Sequence, residues 1–169
     1  MARIVINAGH TKFGKGTGAS KYLKESIETR KIAYELMSLL SETTHEIIPA
    51  VYDRSNGNVK EATDLSNNVD AELFISIHLN AGGGKGVEAY TWKGKQTPLA
   101  KQICKSLSGP CNGNRGVKDG SMYYVIKNTK CPAILVECGF VDDKEFSNKY
   151  SSKEIALNIF NAIVSVYGK

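Results

Sequence analysis

Short apolar runs rich in β-branched residues are spaced along the chain and predict strands that are buried on both faces. Three of these runs lead into a residue that can bind a metal or transfer a proton. They are residues 3–6 before His10, residues 73–77 before His78, and residues 133–136 before Glu137. Ligands of open α/β sheets bind at the carboxyl ends of the strands. We therefore expect these three side chains to lie at one edge of a sheet.

Further segments carry the apolar spacing of amphipathic helices or the alternation typical of strands. Helices are predicted over residues 22–41, 59–69, 97–107 and 153–167, and strands over residues 46–52, 87–92 and 122–126. The glycine-rich segment 108–120 is predicted to be a loop and Asn56-Gly57 a turn. Pro49 favours an edge position or a bulge for its strand. The alternation of strands and helices predicts an α/β sheet with helices on both faces.

The first helical pattern turns one acidic residue toward the core. Ile32 and Leu36 mark the buried face of that helix, and Thr29 and Glu25 fall on the same arc. A carboxylate on a core-facing stripe is unfavourable unless it is paired or binds a metal. The alternative for Glu25 is a frayed first turn, where acidic residues interact favourably with the helix dipole.

Three other ionisable residues are predicted to face solvent. Glu28 falls at the margin of the buried arc and is interpreted as a solvated helix acid. His45 lies in a turn without a strand before it, so we expect a solvent-facing residue and not a ligand. Glu88 occupies an exposed position of an alternating strand, with approach to the site as the alternative.

Composition and charge exclude several classes of protein. With 169 residues, 41% of them hydrophobic, the chain can form one domain with a substantial core. It has no apolar run near the roughly 20 residues of a membrane span. The net charge of +5 suits binding to an anionic polymer, but surface lysines more often form only a solvated face. We expect no nucleic acid partner. The four cysteines are expected to be reduced, with a Cys104–Cys111 bridge as the alternative.

The candidate residues match the ligand set of a catalytic zinc site. Two histidines and one carboxylate, here His10, His78 and Glu25, can hold a zinc ion that keeps its fourth position for water or substrate. Glu137 is then available as a general base that takes a proton from the attacking water. A lone histidine at a strand end is usually structural, but the combination predicts metal-assisted hydrolysis of an amide.

Several motifs are spread over nearly the whole chain. They are VINAGH at 5–10, ISIHLNA at 75–81, GVE at 86–88, NRGV at 114–117 and VECGF at 136–140. With Glu25 opening a helix, the chain resembles the zinc-dependent N-acetylmuramoyl-L-alanine amidases of autolysins, spore-wall hydrolases and phage endolysins. It departs from many members at residues 11–16, which replace a GGxDPG segment, and at Asp143, where many members have asparagine.

The resemblance implies a twisted, mostly parallel six-stranded sheet flanked by helices. It also implies cleavage of the amide between N-acetylmuramic acid and L-alanine in peptidoglycan. One zinc ion (Zn2+) per chain is implied, held by the three candidate ligands, with Glu137 as the catalytic acid and base. Asn80 and Arg115 match family positions near the groove and are candidate substrate contacts. Arg115 is of the residue type that holds a peptide carboxylate, although a surface arginine in a glycine loop is as often unengaged.

The organisation that we expect is a single amidase catalytic domain over residues 1–169, without a wall-binding module. The first residues enter a strand directly and lack the pattern of a signal peptide, so we expect synthesis in the cytoplasm and action on the cell wall after release. This fits a phage or prophage endolysin better than an exported autolysin. Either a wall-binding domain belongs to a longer protein, or the domain works alone with the help of its positive charge.

Two other functions stay open at the level of the sequence. A zinc peptidase of carboxypeptidase type is expected to have a glutamate three residues after the first histidine, where this chain has Phe13. A catalytically silent wall-binding module has no chemical need for Glu137. Both features favour the amidase over its rivals.

Overall fold

The structure, a computed structural model, describes residues 1–55, 58–95 and 97–169, so the predicted turn at Asn56-Gly57 lies outside the described residues. The strands are β1 (Arg3–Ala8), β2 (Glu46–Ala50), β3 (Leu73–Asn80), β4 (Val87–Thr91), β5 (Asn114–Asp119) and β6 (Ala133–Phe140). The α-helices are α1 (Glu25–Leu40), α2 (Asn58–Asn68), α3 (Pro98–Ser106), α4 (Tyr124–Asn128), α5 (Lys144–Lys149) and α6 (Ser152–Tyr167). None of the helices in this described part of the chain has the length and hydrophobicity that a bilayer crossing requires.

The six strands form one sheet in the order β2-β1-β3-β6-β4-β5. Neighbouring strands run parallel except for β4 and β6, which are antiparallel. Strand β2 lies at one edge of the sheet, as its Pro49 indicated, and β5 lies at the other. The predicted α/β architecture with a mostly parallel six-stranded sheet is confirmed.

Both faces of the sheet are covered, which explains why its central strands are apolar at nearly every position. In β1, Ile4 and Ile6 belong to the core that includes residues of α1, α3 and α6, while Val5 belongs to the core that includes residues of α2 and α4. In β3, Ile75 and Phe74 divide between the two cores in the same way. The helices therefore close both faces and leave the ends of the strands as the accessible edges.

The prediction of a strand over residues 122–126 and of a loop over residues 108–120 was wrong. The segment 122–126 leads into α4, whereas β5 lies within the segment that was predicted to be a loop. The aromatic and β-branched residues at 123–126 favour a strand locally, but as a helix they bury Val125 and Ile126 against the sheet. Strand β5 is an edge strand without a fully buried residue, so its sequence lacks the apolar signal of an internal strand.

The three ionisable residues that were predicted to face solvent are buried instead. Glu28 and Glu88 are 7% and 2% exposed, and His45 is 8% exposed. His45 accepts a hydrogen bond at Nδ1 from the backbone N–H of Ala2, and its Nε2 lies 3.1 Å from the carbonyl oxygen of Gly168. These partners are distant in sequence, and for that reason the local pattern did not reveal the burial.

Helix α1 begins at Glu25, three residues later than predicted, because Ser20 and Lys24 form an isolated antiparallel bridge ahead of it. Although Glu25 is the first helical residue, its side chain is buried and not frayed. All four cysteines are free in the structure, and none of them forms a disulfide.

Candidate active site

The carboxyl ends of β1 and β3 bring two histidines together. His10 follows β1 in a left-handed backbone conformation, with φ of 65°. Gly9 permits the close approach of the His78 ring, since a Cβ at Gly9 would lie 2.4 Å from the ring atom Cε1 and 2.5 Å from Nε2. The two imidazole rings are 5.0 Å apart between centroids and nearly perpendicular.

Glu25, at the start of α1, lies between the two histidines. Its Oε1 is 3.1 Å from Nε2 of His10 and 3.2 Å from Nδ1 of His78. One donor atom from each of the three residues lies within 4.8 Å of the others. The backbone N–H groups of Ala19 and Leu79 donate to Oε2 and Oε1 of Glu25, which fixes the carboxylate in place.

A hydrogen bond on the far side of the His10 ring decides which of its nitrogens faces Glu25. Nδ1 of His10 lies 3.0 Å from the carbonyl oxygen of Gly16. A carbonyl oxygen can only accept, so Nδ1 carries a hydrogen and donates it. Nε2 of His10 is therefore the nitrogen that a metal can use.

A longer chain of hydrogen bonds determines that Nδ1 is the nitrogen of His78 that a metal can use. Asn7 donates from Nδ2 to the carbonyl oxygen of Ala50 at 2.7 Å, so its Oδ1 faces Ser76 and accepts from the Ser76 hydroxyl at 2.7 Å. Having donated its only hydrogen, Ser76 accepts from Nε2 of His78 at 3.1 Å. Nδ1 of His78 is left without a hydrogen and points at Glu25.

Burial and hydrogen bonding set the ionisation of the three residues. Burial on its own raises the pKa of Glu25, but His10 and His78, which donate to its carboxylate when they are protonated, outweigh burial and hold that pKa well below its usual value. Burial lowers the pKa of His78, which favours the neutral imidazole that metals bind. Burial also acts to lower the pKa of His10, but the interaction with Glu25 prevails and raises it.

The loop that follows β1 wraps closely around Glu25. Gly18 has a φ of 73°, and a Cβ there would lie 2.4 Å from Oε2 of Glu25 and 2.8 Å from Cδ2 of His10. The backbone N–H of Thr11 donates to the carbonyl oxygen of Gly16 and closes the loop. A glycine at position 18 is thus a packing requirement of the donor cluster.

Glu137 on β6 is paired in register with His78 on β3. It is 9% exposed, and its Oε2 has no hydrogen-bond partner among the described residues. Burial, followed by the negative charges of Glu25 and Glu88, raises the pKa of Glu137 to about 8. A carboxyl group with a raised pKa and a free oxygen at this place can exchange a proton near neutral pH.

The structure places the two candidate substrate contacts differently. Arg115 lies on β5 and donates from Nε to Oε1 of the buried Glu88, which connects it to the site. Asn80 ends β3, and its Oδ1 accepts from the backbone N–H of Ala81 at 2.8 Å. The alternating pattern of β4 did not reveal the burial of Glu88, although the GVE motif was an available signal.

The donor set fits a zinc ion. Two imidazoles and one carboxylate converge, and the far nitrogen of each imidazole is hydrogen-bonded, as is usual for histidines that bind metals. The anionic Glu25, surrounded by N–H donors and histidines, supplies the negative charge that a cation requires.

A family model described as N-acetylmuramoyl-L-alanine amidase matches residues 4–166, which include every candidate residue of the site. The chain belongs to this amidase family. Among its amidase relatives, CwlM of Bacillus licheniformis is 31% identical over 169 residues, covering 94% of this chain. The sporulation-specific N-acetylmuramoyl-L-alanine amidase of Bacillus subtilis (strain 168) is 31% identical over 157 residues, covering 88%. This chain spans 64% of the length of CwlM and 60% of the length of the sporulation-specific enzyme.

Solved structures of two catalytic domains have the same fold. The catalytic domain of the CD27L endolysin targeting Clostridia Difficile has a TM-score of 0.87 at 26% identity, with 98% of both chains covered. The catalytic domain of CwlV, an amidase from Bacillus (Paenibacillus) polymyxa var. colistinus, has a TM-score of 0.81 at 24% identity, again with 98% of both chains covered. The predicted fold is confirmed by these likenesses.

Proposed function

We propose that this member of the amidase family hydrolyses peptidoglycan at the amide between N-acetylmuramic acid and the L-alanine of the stem peptide. The observation that carries the proposal is the cluster of His10, Glu25 and His78 with Glu137 on the adjacent strand. The matched family and the names of its two relatives support the same bond and substrate.

In this proposal, each residue of the cluster has a distinct role. His10, Glu25 and His78 hold one zinc ion, which supplies a Lewis acid for the scissile carbonyl and for water. Ionised Glu137 takes a proton from the water that attacks the carbonyl carbon. It returns the proton to the alanine nitrogen as the C–N bond breaks, which leaves a carboxylate and a free amino terminus. In the metal-free protein, burial raises the pKa of Glu137 to about 8, which makes this carboxylate a better proton acceptor than an ordinary glutamate.

We also propose an origin as the catalytic domain of a phage or prophage endolysin that acts on the wall after release from the cytoplasm. The support is the likeness to the CD27L endolysin catalytic domain, which extends over 98% of both chains. The net charge of +5 favours adsorption to anionic wall polymers.

Mass spectrometry of digested peptidoglycan tests the reaction. The expected products are intact stem peptides with free L-alanine amino termini, and a zinc chelator is expected to stop their release. Shortened peptides instead of intact ones would show a zinc peptidase. A protein that sediments with several wall types but releases nothing would show a wall-binding module.

Glu137→Gln tests the role of the glutamate, because it keeps the size of the side chain and removes the proton acceptor. We expect a loss of turnover of about 100-fold or more, with zinc content and circular dichroism unchanged. Glu42→Gln makes the same chemical change at an exposed residue and is expected to retain full turnover. Full activity of E137Q would reject the assigned role.

A further inference from the structure

Side chains on four neighbouring strands form a row across the sheet. His78 on β3 is paired with Glu137 on β6, and Glu137 is paired with Glu88 on β4. Paired residues of neighbouring strands point to the same face of a sheet. On β5, Arg115 and Lys118 both form ion pairs with Glu88. The proposed metal ligands thus occupy one end of the row and two cations occupy the other.

At the cationic end of the row, Glu88 binds both Arg115 and Lys118. Its Oε2 accepts from the Tyr90 hydroxyl at 2.5 Å and from Nζ of Lys118 at 2.9 Å, while its Oε1 accepts from Nε of Arg115. Burial acts to raise the pKa of Glu88, but these partners outweigh it and lower the pKa, so the carboxylate is ionised. One buried anion therefore faces two cations, and a positive charge remains uncompensated.

One edge of the Arg115 guanidinium is bound within the protein, and the other edge is open to a ligand. Nε is bound to Glu88, and the guanidinium carbon lies 5.3 Å from the centre of the Phe140 ring. Nη1 and Nη2 have no hydrogen-bond partner in the described part of the chain, and the side chain is 41% exposed. Two parallel N–H donors of a fixed guanidinium are the usual partners of a carboxylate.

We propose that Arg115, held by Glu88 and Phe140 and assisted by Lys118, forms a subsite for the free α-carboxylate of the residue that follows L-alanine. This subsite rests on the proposed amidase function, which it extends from the scissile bond to the stem peptide. Arg115 and Lys118 bind the substrate, and Glu88 is a positioning residue.

The spacing along β6 is compatible with this substrate. Phe140, which the guanidinium contacts, is paired with Asn80, two residues beyond His78, the partner of Glu137, so a bulge in β6 sets Phe140 about 7 Å from Glu137 along the sheet. Two residues of extended peptide span about 7 Å. A carboxylate one residue beyond L-alanine can therefore contact the terminal nitrogens of Arg115 while the scissile amide lies beside Glu137.

The subsite predicts a preference for a free carboxylate over the corresponding carboxamide. A carboxylate accepts both N–H groups of the guanidinium and neutralises the excess positive charge. A carboxamide offers one oxygen and turns an NH₂ group toward donors, which loses a charged hydrogen bond. Such a loss corresponds to about tenfold or more in kcat/KM.

The test uses two synthetic substrates, N-acetylmuramoyl-L-alanyl-D-isoglutamate and N-acetylmuramoyl-L-alanyl-D-isoglutamine, with the zinc-loaded protein. We expect kcat/KM to favour the isoglutamate substrate by about tenfold or more. Arg115→Met keeps the length of the side chain and is expected to reduce the ratio to near one, while Arg115→Lys restores part of it. Lys127→Met removes an exposed lysine of α4 and is expected to keep the wild-type ratio.

Binding of the same two ligands to zinc-loaded E137Q separates the subsite from the reaction. The isoglutamate ligand is expected to bind about tenfold more tightly, and the double variant with R115M is expected to lose the difference. Equal binding of the two ligands to E137Q, or a wild-type ratio in R115M, overturns the subsite. Absence of hydrolysis together with a binding preference that depends on Arg115 overturns the proposed reaction and leaves the subsite standing.

Discussion

The orientation of His78 depends on two residues that carry no chemistry of their own. The sequence placed Asn7 and Ser76 on strands that end at the histidines, but the register that sets them side by side is a tertiary property. The ends of these strands could be predicted because each apolar run is followed by a histidine or a glutamate. The contact of Asn7 with Ser76 could not, because the two residues are distant in sequence.

Ser76→Ala tests the hydrogen-bond chain behind His78. The variant removes the acceptor for Nε2 of His78 and leaves Oδ1 of Asn7 without a partner. We expect zinc affinity to fall by about 10–100-fold in a competition titration with a chromophoric chelator. Ser41→Ala removes an exposed hydroxyl of a helix end and is expected to leave the affinity unchanged. An S76A protein that binds zinc as tightly as the wild type contradicts the assigned tautomer of His78.

At the scale of elements, segments with a strong apolar period were predicted well and the edge strand was not. Strands β1, β3 and β6 are internal, so their burial on two faces is visible as an apolar run. Strand β5 gains its structure from pairing with β4 and not from burial of its own side chains. The loop after β1 is a similar case, because its Gly18 reflects contact with Glu25 and not a property of the loop alone.

Gly18→Ala and Gly14→Ala form a matched pair within that loop. Both glycines have positive φ, at 73° and 84°, so the backbone strain of alanine at either position is expected to cost about 1 kcal/mol of stability. A Cβ at Gly14 has no atom within 4 Å, whereas a Cβ at Gly18 meets Glu25 and His10. We expect G18A to lose more stability than G14A in urea denaturation, because its Cβ must displace Glu25, and we expect only G18A to bind zinc more weakly. Equal zinc affinities for the two variants would disprove the packing requirement.

At the scale of the whole molecule, a carboxyl group buried in the middle of the sheet makes stability depend on pH. Glu137 has a pKa of about 8 in the folded protein against an ordinary value of 4.5. Because the folded state binds this proton more tightly, the stabilisation is complete below pH 4.5 and is lost as the pH rises through 8.

Metal-free E137Q, measured with a chelator present, is therefore expected to exceed the wild type in free energy of unfolding at pH 8. The difference is expected to be at least about 1 kcal/mol and to shrink toward pH 5. Urea denaturation at several pH values measures it, with E42Q as the control that follows the wild type. A difference that is the same at pH 5 and pH 8 contradicts the raised pKa of Glu137.

Strand β6 is the last of the six strands along the chain, yet it lies in the middle of the sheet between β3 and β4. A nascent chain that has not yet released residues 133–140 from the ribosome holds two separate pieces, β2-β1-β3 and β4-β5, and lacks Glu137. During synthesis, the proposed acid and base therefore joins the proposed ligands only when β6 connects the two pieces. On the proposed function, a partial translation product that ends before residue 133 is expected to lack the general base and to hydrolyse no peptidoglycan.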